Sequence, residues 1–220
     1  MDIYYQDDYA TLFHGDARDY SYPQDLDLIL TDPPYGISYV TSWRSRSDRK
    51  RKKVANDDDL SVVSDVWKRA IFFLHEDRHW YAFATLKPRC LSESSVLFDA
   101  KQCLIWDKGD RGTVGDLKSG FGECCELIYY GMKGRRELRG KRPRSIIRYD
   151  WSSTMDPVHP TVKPIPLLEK FVEWSTFKGE LVFDPFSGSG TTLVAAKKLQ
   201  RRSIGIEIDE EHCETATNRS

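Results

Sequence analysis

The chain has 220 residues, 40% of them hydrophobic and 12% aromatic, with a formal net charge of −1. That length supports one sizeable core, and no apolar run approaches the roughly 18 residues that a bilayer-spanning helix needs. The five cysteines, Cys90, Cys103, Cys124, Cys125 and Cys213, include no CxxC pair, which argues against a zinc site and for a reducing compartment.

The opening stretch, MDIYYQDDYATLF, lacks the basic-then-apolar layout of a secretory signal, so a cytoplasmic protein is expected. Strands are expected at 11–16 (TLFHGD) and 26–32 (LDLILTD). A helix follows over 60–74, where Val63, Trp67, Ala70 and Leu74 recur on one face. Further strands are expected at 79–85, 102–108, 125–131, 180–185 and 202–209. Most are near-continuous apolar runs, as strands covered on both faces should be. Helices are expected at about 165–176, behind Pro164, at about 190–200, and after Asp209. Strands alternating with helices predict an α/β fold with a doubly wound, mostly parallel sheet. No long helix separates 102–108 from 125–131, so those two strands are expected as an antiparallel hairpin at one edge. The whole of 1–220 reads as a single domain with two irregular insertions, 37–58 and 132–156.

Charge is concentrated in those insertions. Residues 42–53 hold seven Lys/Arg against one Asp, and residues 133–148 hold eight against one Glu. The remaining 192 residues carry a net charge of −14. An acidic body with two basic segments suggests a polyanion held at one face; two solvated loops would look the same by charge alone.

Two short motifs carry chemistry. VFDPFSGSGTT (182–192) joins a strand to a helix, and Gly188 and Gly190 permit a tight turn whose amides can approach a ligand. No lysine follows the glycines, so this is not a P-loop, and the spacing is not GxGxxG. Glu207, at the next strand end, is placed to grip a ribose diol. TDPPYG (31–36) ends another strand. Neither proline can donate to a ladder, so a main-chain carbonyl points outward there. Asp32 adds an anionic acceptor and Tyr35 a flat face: together they can hold the amino group of a planar base.

DPPY plus DPFSGSGTT resembles the S-adenosylmethionine-dependent DNA amino-methyltransferases, and their order, DPPY first, resembles the permuted beta group. HGDA near Asp16, LIWDK (104–108), ECCELIYY (123–130), HPTVKP (159–164) and the C-terminal LQRRSIGIEIDEEHCETATNR are similar to further family segments in the expected order. The resemblance implies a Rossmann-like methyltransferase sheet with circularly permuted motif order. It implies methyl transfer from S-adenosyl-L-methionine to N6 of an adenine flipped out of duplex DNA, without a metal. Asp32, Pro33, Pro34 and Tyr35 would be catalytic. The cofactor would meet Asp184, Pro185, Phe186, Ser187, Gly188, Ser189, Gly190 and Thr191, with Glu207 on the ribose, Asp16 at the adenine, and His159, Thr161 and Lys163 near the methionine end. Asp16 as the cap of the turn into DARDY, and His159 and Lys163 as caps of the helix near 164, remain open as structural readings.

DNA phosphates would be met by Arg44, Arg46, Arg49, Lys50, Arg51, Lys52 and Lys53, with Trp43 as a wedge, and by Arg135, Arg136, Arg139, Lys141, Arg142 and Arg144 in the place of the target-recognition region. Among these, Arg135, Arg136, Arg139 and Arg144 are candidates for guanine contacts. Double-stranded DNA is the expected partner and no membrane is; the resemblance leaves room for a homodimer and a cognate restriction endonuclease, and for a solitary phage-borne enzyme. Rival readings are N4-cytosine methylation, RNA amino-methylation, and a catalytically silent DNA-binding subunit.

Overall fold

The computed structural model describes residues 1–35, 60–86, 98–109, 122–149 and 163–219. In chain order these form β1 (Asp2–Gln6), β2 (Ala10–His14), β3 (Leu26–Thr31), α1 (Leu60–Phe73), β4 (Leu74–Ala84), β5 (Gln102–Asp107), β6 (Cys125–Lys133) and β7 (Ile146–Arg148). Then follow α2 (Ile165–Ser175), β8 (Leu181–Asp184), α3 (Thr191–Lys198), β9 (Arg202–Glu207) and α4 (Glu210–Arg219). The strands make one sheet in the order β1-β2-β9-β8-β3-β4-β6-β5-β7. Its centre, β2-β9-β8-β3-β4, is parallel, as the alternating pattern predicts.

β3 is buried along its whole length, which its unbroken LDLIL run requires. On one face Leu26 and Ile29 pack with Val63, Val66, Trp67 and Ala70 of α1. On the other, Leu28 and Leu30 pack with Leu167, Leu168 and Phe171 of α2 and Ala195 and Ala196 of α3. Burying a Leu or Phe of this kind contributes about 1.5–3 kcal/mol, so these two layers fix β3 from both sides.

Three features depart from the sequence reading. β4 begins at Leu74, directly after α1, rather than near His79. The polar run His75–Arg78 carries no strand periodicity, and it is accommodated by a register shift against β3 and a positive φ of 58° at Asp77. The antiparallel pairing of β5 with β6 forms as expected, but β7 lies outside β5, so the hairpin is one strand in from the edge. β1 pairs antiparallel with β2 at the other edge. Both missed strands are short, five residues in β1 and three in β7.

The chain leaves β3 through α1 toward β4 on one side, and leaves β8 through α3 toward β9 on the other. β3 and β8 are parallel neighbours. The direction of winding therefore reverses between them, and the crevice beyond their carboxyl ends is where a doubly wound sheet takes its ligands.

Candidate active site

Asp32 follows β3 and Pro185 follows β8, so both motifs open into that crevice. They are bonded together beneath it. The Thr31 hydroxyl donates to Asp184 Oδ1 at 2.7 Å, and the Phe186 amide donates to the same oxygen at 3.2 Å. Asp184 is buried. Burial pushes its carboxyl up to about 6, against the pull of the Thr192 and Thr31 hydroxyls. Asp184 thus joins the DPPY corner to the glycine turn from inside the protein.

Asp32 is held from two sides. The Tyr35 hydroxyl donates to Oδ1, and the Lys163 ammonium donates to Oδ2 at 2.5 Å. Lys163 also reaches Glu126 Oε2 at 3.4 Å, and Lys108 pairs with Glu126 Oε1 at 2.5 Å. The ammonium of Lys163 stands 5.0 Å from the centre of the Phe83 ring, and that of Lys108 stands 5.0 Å from Trp106. Four charges therefore alternate in sign from Lys108 through Glu126 and Lys163 to Asp32. Burial would discharge Lys163, but the carboxylates of Asp32 and Glu126 outweigh it and hold the amine above the usual lysine range. Burial likewise pushes Glu126 up, and Lys163 and Lys108 more than reverse it. Register makes this set: Glu126 lies opposite Trp106 across the β5–β6 ladder, beside Lys108.

The glycine turn is shaped for close approach. Gly188 and Gly190 have φ of 51° and 74°. A Cβ on Gly188 would meet nothing within 4 Å, whereas one on Gly190 would stand 2.7 Å from the Ala216 side chain, so α4 packs directly on the turn. Glu207, at the end of β9, accepts from the Gly188 amide at 2.7 Å and from the Asp209 amide at 2.8 Å. Arg219 of α4 reaches back to the Ser189 carbonyl at 3.0 Å, the Ser189 hydroxyl at 2.9 Å and the Thr191 hydroxyl at 3.1 Å. Asp16 stands next to this corner, since the Gly15 amide donates to the Glu207 carbonyl at 2.8 Å. Its carboxylate caps the short 3-10 turn Ala17–Asp19 and is gripped by the Arg18 guanidinium at 2.6 Å, the structural role left open by the sequence.

A family model described as DNA methylase matches residues 26–218. The chain belongs to this DNA methylase family. It is similar to the Type II methyltransferase M2.DpnII of Streptococcus pneumoniae, at 51% identity over 98% of this chain and 91% of that protein. It is also similar to M2.MboI of Moraxella bovis, at 40% identity over 94% and 86%. Among solved structures, the M1.HpyAVI–SAM complex shares the fold with a TM-score of 0.71 at 24% identity, covering 96% of this chain and 98% of that one. The PvuII cytosine-N4-specific DNA methyltransferase shares it at 0.76 and 16%, covering 99% and 88%.

For a DNA methylase, the position of positive charge relative to Asp32 matters. β6 runs antiparallel to β4, so it delivers residues 134–139 to the amino-terminal end of the parallel strands, away from the crevice. The Arg135 amide is bonded to Asp77. Arg136 pairs with Glu180 at 3.0 Å with a side chain only 11% exposed. Arg139 lies 4.2 Å over the Phe177 ring and donates to the Thr176 carbonyl. Arg136 and Arg139 thus fasten the loop to the body, and Arg135, Arg136 and Arg139 do not join the base corner. Lys141, Arg142 and Arg144 are exposed on the run that returns to β7. Lys163, expected at the methionine end, is bonded to Asp32 instead. The residues Arg44, Arg46, Arg49, Lys50, Arg51, Lys52, Lys53, Trp43, His159 and Thr161 lie outside the described residues. Among the described residues no group of His, Cys, Asp and Glu could hold a metal ion, and no helix is long and apolar enough to cross a membrane.

Sequence reading missed Thr31, Lys108, Glu126 and Arg219. Three of them lay inside segments already matched to the family, but their partners are distant in sequence and only the sheet register brings them together.

Proposed function

We propose that this DNA methylase uses S-adenosylmethionine to methylate N6 of an adenine rotated out of duplex DNA. The observation that supports this reading is the Asp32 carboxylate. It is fixed by Tyr35 and Lys163, its side chain keeps 37% exposure, and it stands over the same crevice as the glycine turn. An ionised carboxylate offers about four acceptor positions, so Asp32 retains capacity for an amine hydrogen.

The turn fits the cofactor. Glu207 keeps acceptor capacity for a ribose diol beyond its two backbone bonds, Gly188 leaves open space above the turn, and the buried Ser187 hydroxyl has no hydrogen-bond partner. Bound S-adenosylmethionine supplies a methyl group on a sulfonium. The chain's own residues prepare the acceptor. The lone pair of an adenine amine is delocalised into the ring, which makes it a weak nucleophile. Asp32 and the Pro33 carbonyl accept its two hydrogens and turn the lone pair out of conjugation, toward the crevice where the donor binds. Fixing that geometry is the main source of rate. Transfer would break the methyl–sulfur bond of the donor, leaving a neutral thioether, and the methylated nitrogen would then shed one proton, which Asp32 holds briefly before water takes it. Lys163 keeps Asp32 aimed throughout.

The DPPY-first order supports placement in the beta group. Asp at position 32 supports adenine over cytosine, because N4-cytosine members of the resembled family more often carry Ser there. The deciding experiment expresses the protein in a methylation-deficient host and quantifies modified nucleosides by mass spectrometry. N6-methyladenine above background is expected. N4-methylcytosine in its place would overturn the base assignment, label in structured RNA but not DNA would overturn the substrate, and no modification would favour a silent subunit.

A further inference from the structure

Beyond the catalytic crevice, the described residues enclose a second concavity of about 920 Å³ between α2 and the β5–β7 edge. Its floor is apolar and aromatic, with Tyr130, Leu138 and Trp174, and its rim carries Lys101, Arg142 and Arg144. It shares no lining residue with the Asp32 network or the glycine turn. Trp174 lies nine residues along α2 from its first residue, Ile165, which at 1.5 Å per residue is about 14 Å.

The chemistry of this cleft is one-sided. Among the described residues no Asp or Glu lines it. The nearest partner of the Lys101 ammonium is the Met132 sulfur at 3.9 Å, an uncharged and weak acceptor. Among the described residues Arg142 and Arg144 have no hydrogen-bond or ion-pair partner, nor do the Tyr130 hydroxyl and the Trp174 indole N–H. This contrasts with Arg136, Arg139 and Arg201 close by, each of which is bonded to the body. Arg148 also lines the cleft and pairs with Asp107 at 3.0 Å, so Lys101, Arg142 and Arg144 are its cations without a carboxylate partner among the described residues. Cations without a carboxylate partner, at the rim of an apolar and aromatic floor, match an anion joined to a ring: the guanidinium forks and ammonium take the oxygens, and the ring lies on Trp174.

We propose that this cleft binds a nucleotide unit, with its phosphate on Lys101, Arg142 and Arg144 and its base against Trp174. The site is independent of which base the enzyme methylates. The phosphate can come from a free nucleotide or from a nucleic-acid strand passing along this face, and the experiment separates the two.

The test titrates fluorescent N-methylanthraniloyl-ADP into the full-length protein with the donor pocket filled by S-adenosylhomocysteine. Saturable binding in the micromolar range is expected, weakened at least tenfold in Arg142→Ala/Arg144→Ala, and weakened in wild type by raising salt from 50 to 500 mM. Trp174→Phe should retain most of the affinity, and Trp174→Ala should lose it. Displacement of the probe by a short duplex in wild type would assign the phosphate to nucleic acid; displacement by ATP alone would assign it to a free nucleotide. No saturable binding below 1 mM, or equal affinity in wild type and the double arginine variant, would overturn the site. Methyl transfer to a short duplex, measured in parallel, keeps failure of this site distinct from failure of the proposed reaction.

Discussion

Two charges of each sign meet beneath the base corner, and the order in which they alternate determines what each substitution should do. Asp32→Ala removes the acceptor itself and should abolish transfer while cofactor affinity, measured by calorimetry, changes little; retained activity would remove its catalytic role. Lys163→Met removes the cation that aims Asp32 and should slow single-turnover transfer by about 100-fold, equivalent to about 3 kcal/mol of barrier. Glu126→Gln keeps the shape of the next link but deletes one countercharge, leaving Lys163 to Asp32 alone. It should lower turnover without changing cofactor affinity. Asp184 has a different signature. Its folded carboxyl titrates at about 6 because it is buried, above the unfolded value near 3.9. The native state therefore binds the proton more tightly than the unfolded chain. Stability should fall as pH rises from about 4 to 6, by about 3 kcal/mol in total, and stay low above that window. Asp184→Asn should flatten that decline in thermal melts at pH 4.5 and 7.5; an unchanged pH slope would show that the buried acid is not its source.

At the scale of elements, α4 and the loop after β6 are fasteners with separable effects. Arg219 ties the end of α4 to Ser189 and Thr191. Arg219→Ala should weaken S-adenosylhomocysteine binding several-fold with little change in turnover at saturating cofactor. Arg136→Ala strips a nearly buried cation from Glu180, and should lower stability by about 2 kcal/mol or more, with DNA affinity unchanged. Elements also show where the sequence was readable. The helices and central strands follow from local periodicity, and DPPY and DPFSGSG each lie within a single turn. The link from Lys163 to Asp32 spans 131 residues, and no local pattern announces it. The contacts of Arg136 and Arg139 with Glu180, Thr176 and Phe177 were not legible, because a run of basic residues records charge but not the strand direction that carries it to one end of the sheet. β7 was hidden for a related reason: three residues inside a basic segment give too little alternation to mark a strand.

For the whole molecule, the net charge of −14 outside the two basic segments means that duplex DNA is attracted locally and repelled elsewhere. Affinity should fall steeply with salt. Replacing the seven Lys/Arg of 42–53 by alanine should flatten the plot of log affinity against log salt, and an unchanged slope would place the phosphate contacts elsewhere. The hydrogen bond between Thr31 and Asp184 reaches further than stability. Because it links the glycine turn to the DPPY loop, which in the proposed reaction receive donor and base, ordering either one restrains the other. Thermodynamic reciprocity then demands that each ligand sharpen the enzyme's hold on its companion by the same factor. A Thr31→Val enzyme, titrated with S-adenosylhomocysteine in the presence and absence of duplex, should bind the two almost as strangers.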